Sequence, residues 1–276
     1  SLRVVGKHVL PLPPSREVER DEASVRTDAL GDLRLHLDAH VATAGHLGGR
    51  RTGAAAPLAS GISRRYCRAL LGIYVHFPFC ETRCPYCDFA TDARTEIPHH
   101  AWADAVLAEM ALRAPLFSGP LRTVYFGGGT PGLWRPDCVA RVLRGAGERF
   151  ESNLEEVTLE ANPGDADVAH FAALRDAGVD RLSLGIQSLD DRFLRALGRR
   201  HDSSQARSAV AKAREAGITN VSCDLMFALP EQTLAEVRLD LRSLCDLVPD
   251  HVSAYALTVE PATPFGALRR AGRLKT

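Results

Sequence analysis

No apolar run in this 276-residue chain approaches the roughly 20 residues of a membrane span, so no transmembrane helix is expected. Nor is there an excess of charge: 34 Lys and Arg balance 34 Asp and Glu. A neutral chain offers no electrostatic ground for a nucleic-acid or anionic-membrane partner. Aromatic residues are sparse at 6%, but 45% of the chain is hydrophobic, enough for one large α/β domain or two ordinary ones. The N-terminus lacks a basic start followed by an apolar stretch, so nothing reads there as a secretory signal. The segment REVERDEASVRTD (16–28) carries five acids, against the acid-poor habit of transit peptides. Seven unevenly spaced cysteines in a long chain do not suggest a small disulfide scaffold. Metal-bound thiolates in a reducing compartment fit better, and the expected location is cytoplasmic.

Residues 1–68 lack a core-forming pattern. LPLPPSREVERDEA is rich in proline and then charged, and GHLGGRRTGAAAPLASGISRR is built of Gly, Ala, Ser and Arg. Mostly disorder is expected, with one short amphipathic helix over ALGDLRLHLDAHVA. His36, His40 and His46 read as solvated side chains, since nothing rigid fixes them as ligands.

Residues 69–276 read as one α/β domain. From Gly72 the pattern alternates between strands and helices. Strands are predicted at 72–77, 122–127, 156–161, 181–186, 221–227 and 251–259. Helices are predicted at 99–114, 136–149, 165–177, 189–215 (broken near His201) and 232–247. Gly178 and Gly217 close two of them as C-caps. Such alternation implies parallel strands with right-handed crossovers. Six units are too few for a closed eight-stranded barrel, so the expected architecture is a partial (β/α)6 barrel.

Parallel strands covered by helices usually read as continuous apolar runs. Here they alternate. Tyr74 and His76 share one face of the first strand, Thr158 and Glu160 of the third, Ser183, Gly185 and Gln187 of the fourth. Ser222 and Asp224 continue the pattern on the fifth strand, and Ser253 and Tyr255 on the sixth. Helices must cover the apolar faces, so the polar ones should line a lumen suited to a polar ligand, or else a hydrated interior satisfied by its own hydrogen bonds. Glu160 and Gln187 fall at the C-terminal strand ends, where barrel ligands collect.

The stretch FCETRCPYCDF (79–89) follows the first strand with Cys80, Cys84 and Cys87, and lacks a fourth cysteine. A closed structural zinc site needs four ligands; His76 could supply one but should point into the lumen. An iron–sulfur cube tolerates three protein ligands and leaves one iron open, so the spacing favours a cluster over zinc. Cys138 and Cys245 on helices, and Cys223 on the helix-facing side of its strand, read as structural. Cys67 receives no role. The glycines of VYFGGGTP (124–131) let backbone groups approach a ligand closely, such as the amino and carboxylate ends of an amino-acid-like molecule. Carboxylates such as Glu160 and Asp224 can hold ribose hydroxyls, and Arg199 can pair with a carboxylate.

YVHFPFCETRCPYCDF resembles the CX3CX2C signature of the radical S-adenosylmethionine superfamily. FGGGTP, EANPG, RLSLGIQSLDDRFLRALGRRH, DLMFALPEQT and HVSAYALTVEPATPF narrow the resemblance to the branch of oxygen-independent coproporphyrinogen III oxidases and HemW-type heme chaperones. The six motifs occur in order over about residues 71–270. The oxidases are known for another cysteine two positions after the third, where this chain has Phe89, so the chaperone type is the closer likeness. The resemblance implies a [4Fe–4S] cluster on Cys80, Cys84 and Cys87, with S-adenosylmethionine on the open iron. Tyr74, Gly128 and Glu160 match one set of S-adenosylmethionine contacts. Tyr86, Gly129, Thr130, Gln187, Arg199, Asp224 and Ala256 match further ones, some belonging to a second molecule in the oxidase. It also implies heme or a porphyrinogen as ligand and heme-accepting apoproteins as partners. The alternatives are radical oxidative decarboxylation of coproporphyrinogen III and, more remotely, a structural zinc barrel. The family's C-terminal domain, with its HNxxYW-like motif, is not found before Thr276, so a fragment with an intact cluster site is expected.

Overall fold

The computed structural model describes residues 70–117, 119–165 and 167–274. The expectations for residues 1–68, including the helix over 29–42, the three histidines and Cys67, lie outside the described residues. In chain order the strands and α-helices are β1 (Leu71–Phe77), the short β2 (Phe79–Cys80) and β3 (Asp92–Ala93), α1 (His99–Arg113) and β4 (Leu121–Gly128). There follow α2 (Pro136–Arg149), β5 (Ser152–Ala161), α3 (Val168–Asp176), β6 (Arg181–Gln187), α4 (Asp191–Ala196) and α5 (Ser203–Glu215). β7 (Asn220–Phe227), α6 (Leu234–Cys245), β8 (His251–Ala256) and α7 (Pro264–Arg270) complete the order.

Six strands form one parallel sheet in the order β1-β4-β5-β6-β7-β8, with β1 and β8 as its edges. This is the expected partial (β/α)6 barrel. Period two divides each strand between two environments. Val75 and Phe77, Val124 and Phe126, Val157 and Leu159, Leu182, Leu184 and Ile186, and Val221, Cys223 and Leu225 are buried in one continuous core. Trp102, Val106, Val139, Val142, Phe171, Leu174, Ala209 and Ala213 reach that core from α1, α2, α3 and α5. Each large side chain so buried contributes about 1.5–3 kcal/mol relative to exposure.

The other faces hold polar groups that bond across the lumen side. Tyr125 Oη donates to Glu160 Oε1 at 2.6 Å, Arg181 Nη1 to Thr158 Oγ1 at 3.1 Å, and Ser183 Oγ to Asp224 at 3.2 Å. Ser222 Oγ lies 2.9 Å from His251 Nδ1.

Several boundaries differ from expectation. α3 begins at Val168, not 165, because Asp165 N–H bonds Asn162 O in the preceding turn and Asp167 caps His170 N at 2.9 Å. The broad helix over 189–215 is two, α4 and α5, with Asp202 opening the second through a reciprocal capping box with Gln205. β5 starts four residues before the predicted strand, and β8 stops at Ala256, before the chain turns over Glu260–Thr263 to cap α7. Gly178 and Gly217 sit one residue beyond the C-caps Ala177 and Ala216, with φ of 110° and 84°, a conformation that favours glycine. Cys138 and Cys223 are buried as expected, but Cys245 is exposed, since α6 turns only Asp240 and Leu244 fully inward.

Candidate functional site

The cysteine loop stands on an aromatic base. Phe77 and Phe79, either side of Pro78, are fully buried. Phe77 stacks on Trp134 at 5.0 Å, and Phe79 meets Phe77 and Trp102 edge-on at 5.2 and 5.3 Å. Such pairs contribute about 0.5–1.5 kcal/mol each beyond area burial. Cys80 follows directly from Phe79. The loop is closed where β2 pairs with β3, with Arg94 N–H on Cys80 O at 2.9 Å. Cys84 and Cys87 flank a turn in which Cys87 N–H bonds Cys84 O at 3.1 Å, and Arg83 braces it by donating to Cys87 O and Phe89 O.

The triglycine turn lies against this loop. Gly129 N–H bonds Phe77 O at 2.7 Å, and Thr130 N–H bonds Phe79 O at 2.9 Å. A Cβ on Gly129 would come within 2.7 Å of the carbonyl oxygens of both Pro78 and Phe79, so only glycine permits this approach. Gly128 N–H donates to Glu160 Oε2 at 3.1 Å, which, with Tyr125 on the other oxygen, holds the carboxylate at the tip of β5.

One chain of contacts links the predicted residues. Thr130 Oγ1 donates to Cys80 Sγ at 3.4 Å, and Asn162 Nδ2 donates to Thr130 Oγ1 at 3.2 Å. Arg199 Nη2 donates to Asn162 Oδ1 and, at 2.9 Å, to Gly185 O; its Nη1 lies 3.7 Å from Cys84 Sγ. Arg199 Nε is buried with no hydrogen-bond partner. Burial works against the guanidinium's charge, but Tyr86 and Cys84 beside it outweigh that and hold its pKa above the ordinary value. Burial pushes the Tyr86 hydroxyl up, against the pull of Arg199. The thiols of Cys80 and Cys87 are pushed up chiefly by burial; Thr130 opposes this at Cys80 and a backbone hydrogen bond from Phe89 at Cys87. A small open cleft lies here, bordered by Glu81, Cys84, Thr130, Asn162, Arg199 and His201.

The remaining predicted residues are arranged around this chain. Gln187 ends β6 with φ of 65°, and its Nε2 stands 3.1 Å from where a Gly185 Cβ would lie, so the missing side chain is what leaves it room. Tyr74 Oη is 3.2 Å from His76 Nδ1, and its ring stacks with Tyr125, 6.0 Å between centroids. Asp224 belongs to the neighbouring pair with Ser183, and Ala256 ends β8, five places from β1 in sheet order. Two residues escaped the sequence reading. Asn162 bridges Thr130 and Arg199; its signal was the NPG turn after Glu160. Asp240 on α6 accepts from Ser188 Oγ at 2.6 Å and Leu189 N–H at 2.9 Å, clamping the turn behind Gln187.

The donor set fits an iron–sulfur cluster better than a structural zinc. Both nitrogens of His76 are engaged, Nδ1 by Tyr74 and Nε2 by Ala90 O at 2.9 Å, so it does not offer a fourth ligand. Three thiols without His76 leave a closed tetrahedral zinc site one protein ligand short, whereas an iron–sulfur cube accepts three and keeps one iron open.

The fold and site together define a partial βα barrel that carries three thiols and a buried cation at one mouth. The sequence profile of the Radical SAM superfamily matches residues 74–244, and the chain belongs to that superfamily. The heme chaperone HemW of Haemophilus influenzae is 39% identical over 203 residues, 71% of this chain and 53% of that protein. HemW of Escherichia coli is 38% identical over 200 residues, again 71% and 53%. The mouse protein named radical S-adenosyl methionine domain-containing protein 1, mitochondrial, is 42% identical over 205 residues, 73% of this chain and 46% of its own length. Among solved structures, the coproporphyrinogen III oxidase HemN of Escherichia coli, described as a radical SAM enzyme, superposes with a TM-score of 0.66 at 29% identity, over 76% of this chain and 49% of that one. The chain spans about half the length of the curated relatives it matches. Among the described residues no helix is long and apolar enough to cross a membrane.

Proposed function

We propose that this chain acts as a HemW-like heme chaperone, with residues 69–276 as its radical SAM core. Cys80, Cys84 and Cys87 hold a [4Fe–4S] cluster, and S-adenosylmethionine binds beside it. The observation that carries this reading is the three-thiol loop over a polar barrel mouth, in a chain 38–39% identical to proteins named heme chaperone HemW. When bound, the cluster supplies an iron with a free coordination position and a low-potential electron. Thr130 and Arg199 donate toward Cys80 and Cys84, and donors of that kind orient the sulfurs that would hold the cluster. Glu160 and Arg199 place opposite charges at the mouth. They match the ammonium and carboxylate of an amino-acid-like ligand, Glu160 held ready by Tyr125 and Gly128 N–H. Gly128, Gly129 and Thr130 offer backbone groups; Tyr74, Tyr86, Gln187, Asp224 and Ala256 complete the proposed lining. Heme-accepting apoproteins are the proposed partners, and the cytoplasm the proposed location.

The likeness to HemN favours a second reading, oxidation of coproporphyrinogen III at the same cluster. Exposed Phe89, where the oxidases carry a further cysteine, weighs toward the chaperone. The two separate in one anaerobic experiment on reconstituted protein. Stoichiometric heme binding without protoporphyrinogen formation supports the chaperone. Turnover of coproporphyrinogen III would replace it with the oxidase, and an iron-free, colourless product with bound zinc would overturn both.

A further inference from the structure

Away from the cysteine loop, α1 and α2 bring three metal-binding groups together. His100 lies in the first turn of α1, Asp137 and Cys138 in the first turn of α2. An imidazole nitrogen, a carboxylate oxygen and a thiol sulfur there all lie within 4.8 Å of one another. Cys138 Sγ is 3.4 Å from His100 Nδ1. A tetrahedral ion with bonds of about 2.3 Å to sulfur and about 2.0 Å to nitrogen sets those two atoms about 3.5 Å apart. An S–H···N hydrogen bond accounts for the same spacing between two groups. The adjacent Asp137, held by Arg135, brings a carboxylate oxygen within 4.8 Å of both, which completes three ligands of mixed type at one point.

We propose that His100, Asp137 and Cys138 form a binding site for a zinc-class divalent cation, with water at the fourth corner, that ties α1 to α2. Sulfur and imidazole donors select such ions over magnesium or calcium. Cys138 is 1% exposed, whereas His100 and Asp137 face solvent, so the ion enters from outside and seats against the sulfur. Cys138 binds as thiolate and gives its proton to solvent. Thiolate and carboxylate together neutralise the dication, and both lie where the positive end of α2 favours anions.

Arg135 is the competitor. Its Nε and Nη2 donate to the two Asp137 oxygens at 3.0 and 3.4 Å. Both partners are more than half exposed, and pairs of that kind contribute little, so a metal can displace the guanidinium. The site is distinct from the loop thiols and stands or falls independently of the heme-chaperone reading. Trp134, whose Nε1–H bonds His99 O at 3.0 Å, links it to the aromatic base beneath Cys80.

The test is zinc titration of the cluster-loaded full chain, with iron and zinc measured together. One zinc per chain should be retained without loss of iron. His100→Ala and Cys138→Ser should each weaken it by at least about 100-fold, more than loss of an outer-sphere partner does. Arg135→Ala should tighten it by freeing Asp137. His100 is exposed, so its replacement leaves the fold intact even if the Cys138 variant misfolds. Zinc uptake equal in wild type and His100→Ala, zinc bound only as iron is lost, or no zinc retained would each overturn the site.

Discussion

His201 is buried, 4% exposed, and its Nε2–H donates to Ile186 O at 3.1 Å. Burial first, and the nearby Arg199 second, pull its pKa from 6.5 to about 4. The imidazole is therefore neutral when folded and free to protonate when unfolded. Stability from this group is complete above pH 6.5 and is lost as pH falls toward 4, because the unfolded chain then binds the extra proton. Between pH 7 and pH 5 the loss should be on the order of 2 kcal/mol. Chemical unfolding at both pH values should show that slope in the cluster-free wild type and a flatter one in His201→Gln, which keeps a donor for Ile186 O. Equal slopes would assign the pH dependence elsewhere. At this scale, residues whose chemistry is local were legible in the sequence. The three cysteines, the triglycine turn, and Glu160 and Gln187 at strand tips follow from spacing and period two. Asn162 and Asp240 were not. The partners of Asn162 lie 32 and 37 residues away and those of Asp240 51 and 52, and a polar residue in a turn or on a helix looks solvated until the fold brings its partners in.

Among the elements, α6 does more for the proposed site than its amphipathic pattern suggests. Asp240 is buried, which pushes its pKa up, yet it accepts from Ser188 Oγ and Leu189 N–H. Asp190 N–H bonds the same Ser188 hydroxyl at 3.1 Å, so one carboxylate organises the whole turn between β6 and α4. That turn follows Gln187, whose left-handed backbone carries strain that the clamp must hold. Asp240→Ala should weaken S-adenosylmethionine binding about 10-fold, the loss of a charged hydrogen-bond pair, at unchanged iron content. Asp240→Asn should restore most of it. Equal affinity in all three proteins would make Asp240 a purely structural group. The element pattern itself was readable: each of the six sheet strands overlaps its predicted range, with β5 starting earlier and β8 ending sooner, and the break near His201 separates α4 from α5. The two-residue β2 and β3 were not readable, because so short a pairing leaves no periodicity; closure of the cysteine loop creates it.

For the whole molecule, burial and chemistry are kept apart. The continuous core runs from Leu71 to Leu244 and contains none of the loop cysteines. The loop is fastened at its far side by a smaller cluster, in which Tyr86 packs with Phe193, Leu197, Met226, Leu229, Leu257 and Phe265. Cys84→Ala should therefore abolish the four-iron cluster while unfolding stays cooperative, with a midpoint close to that of the cluster-free wild type, as read by iron analysis and thermal melting. A full cluster in the variant would remove Cys84 from the ligand set. The sheet has one more property: strand order repeats chain order, β1 to β8, apart from the short loop pair. Each strand emerging from a ribosome thus finds its neighbour already made, and none waits for a later segment to reach back between finished ones. Pairing in the order of synthesis therefore meets no topological obstacle.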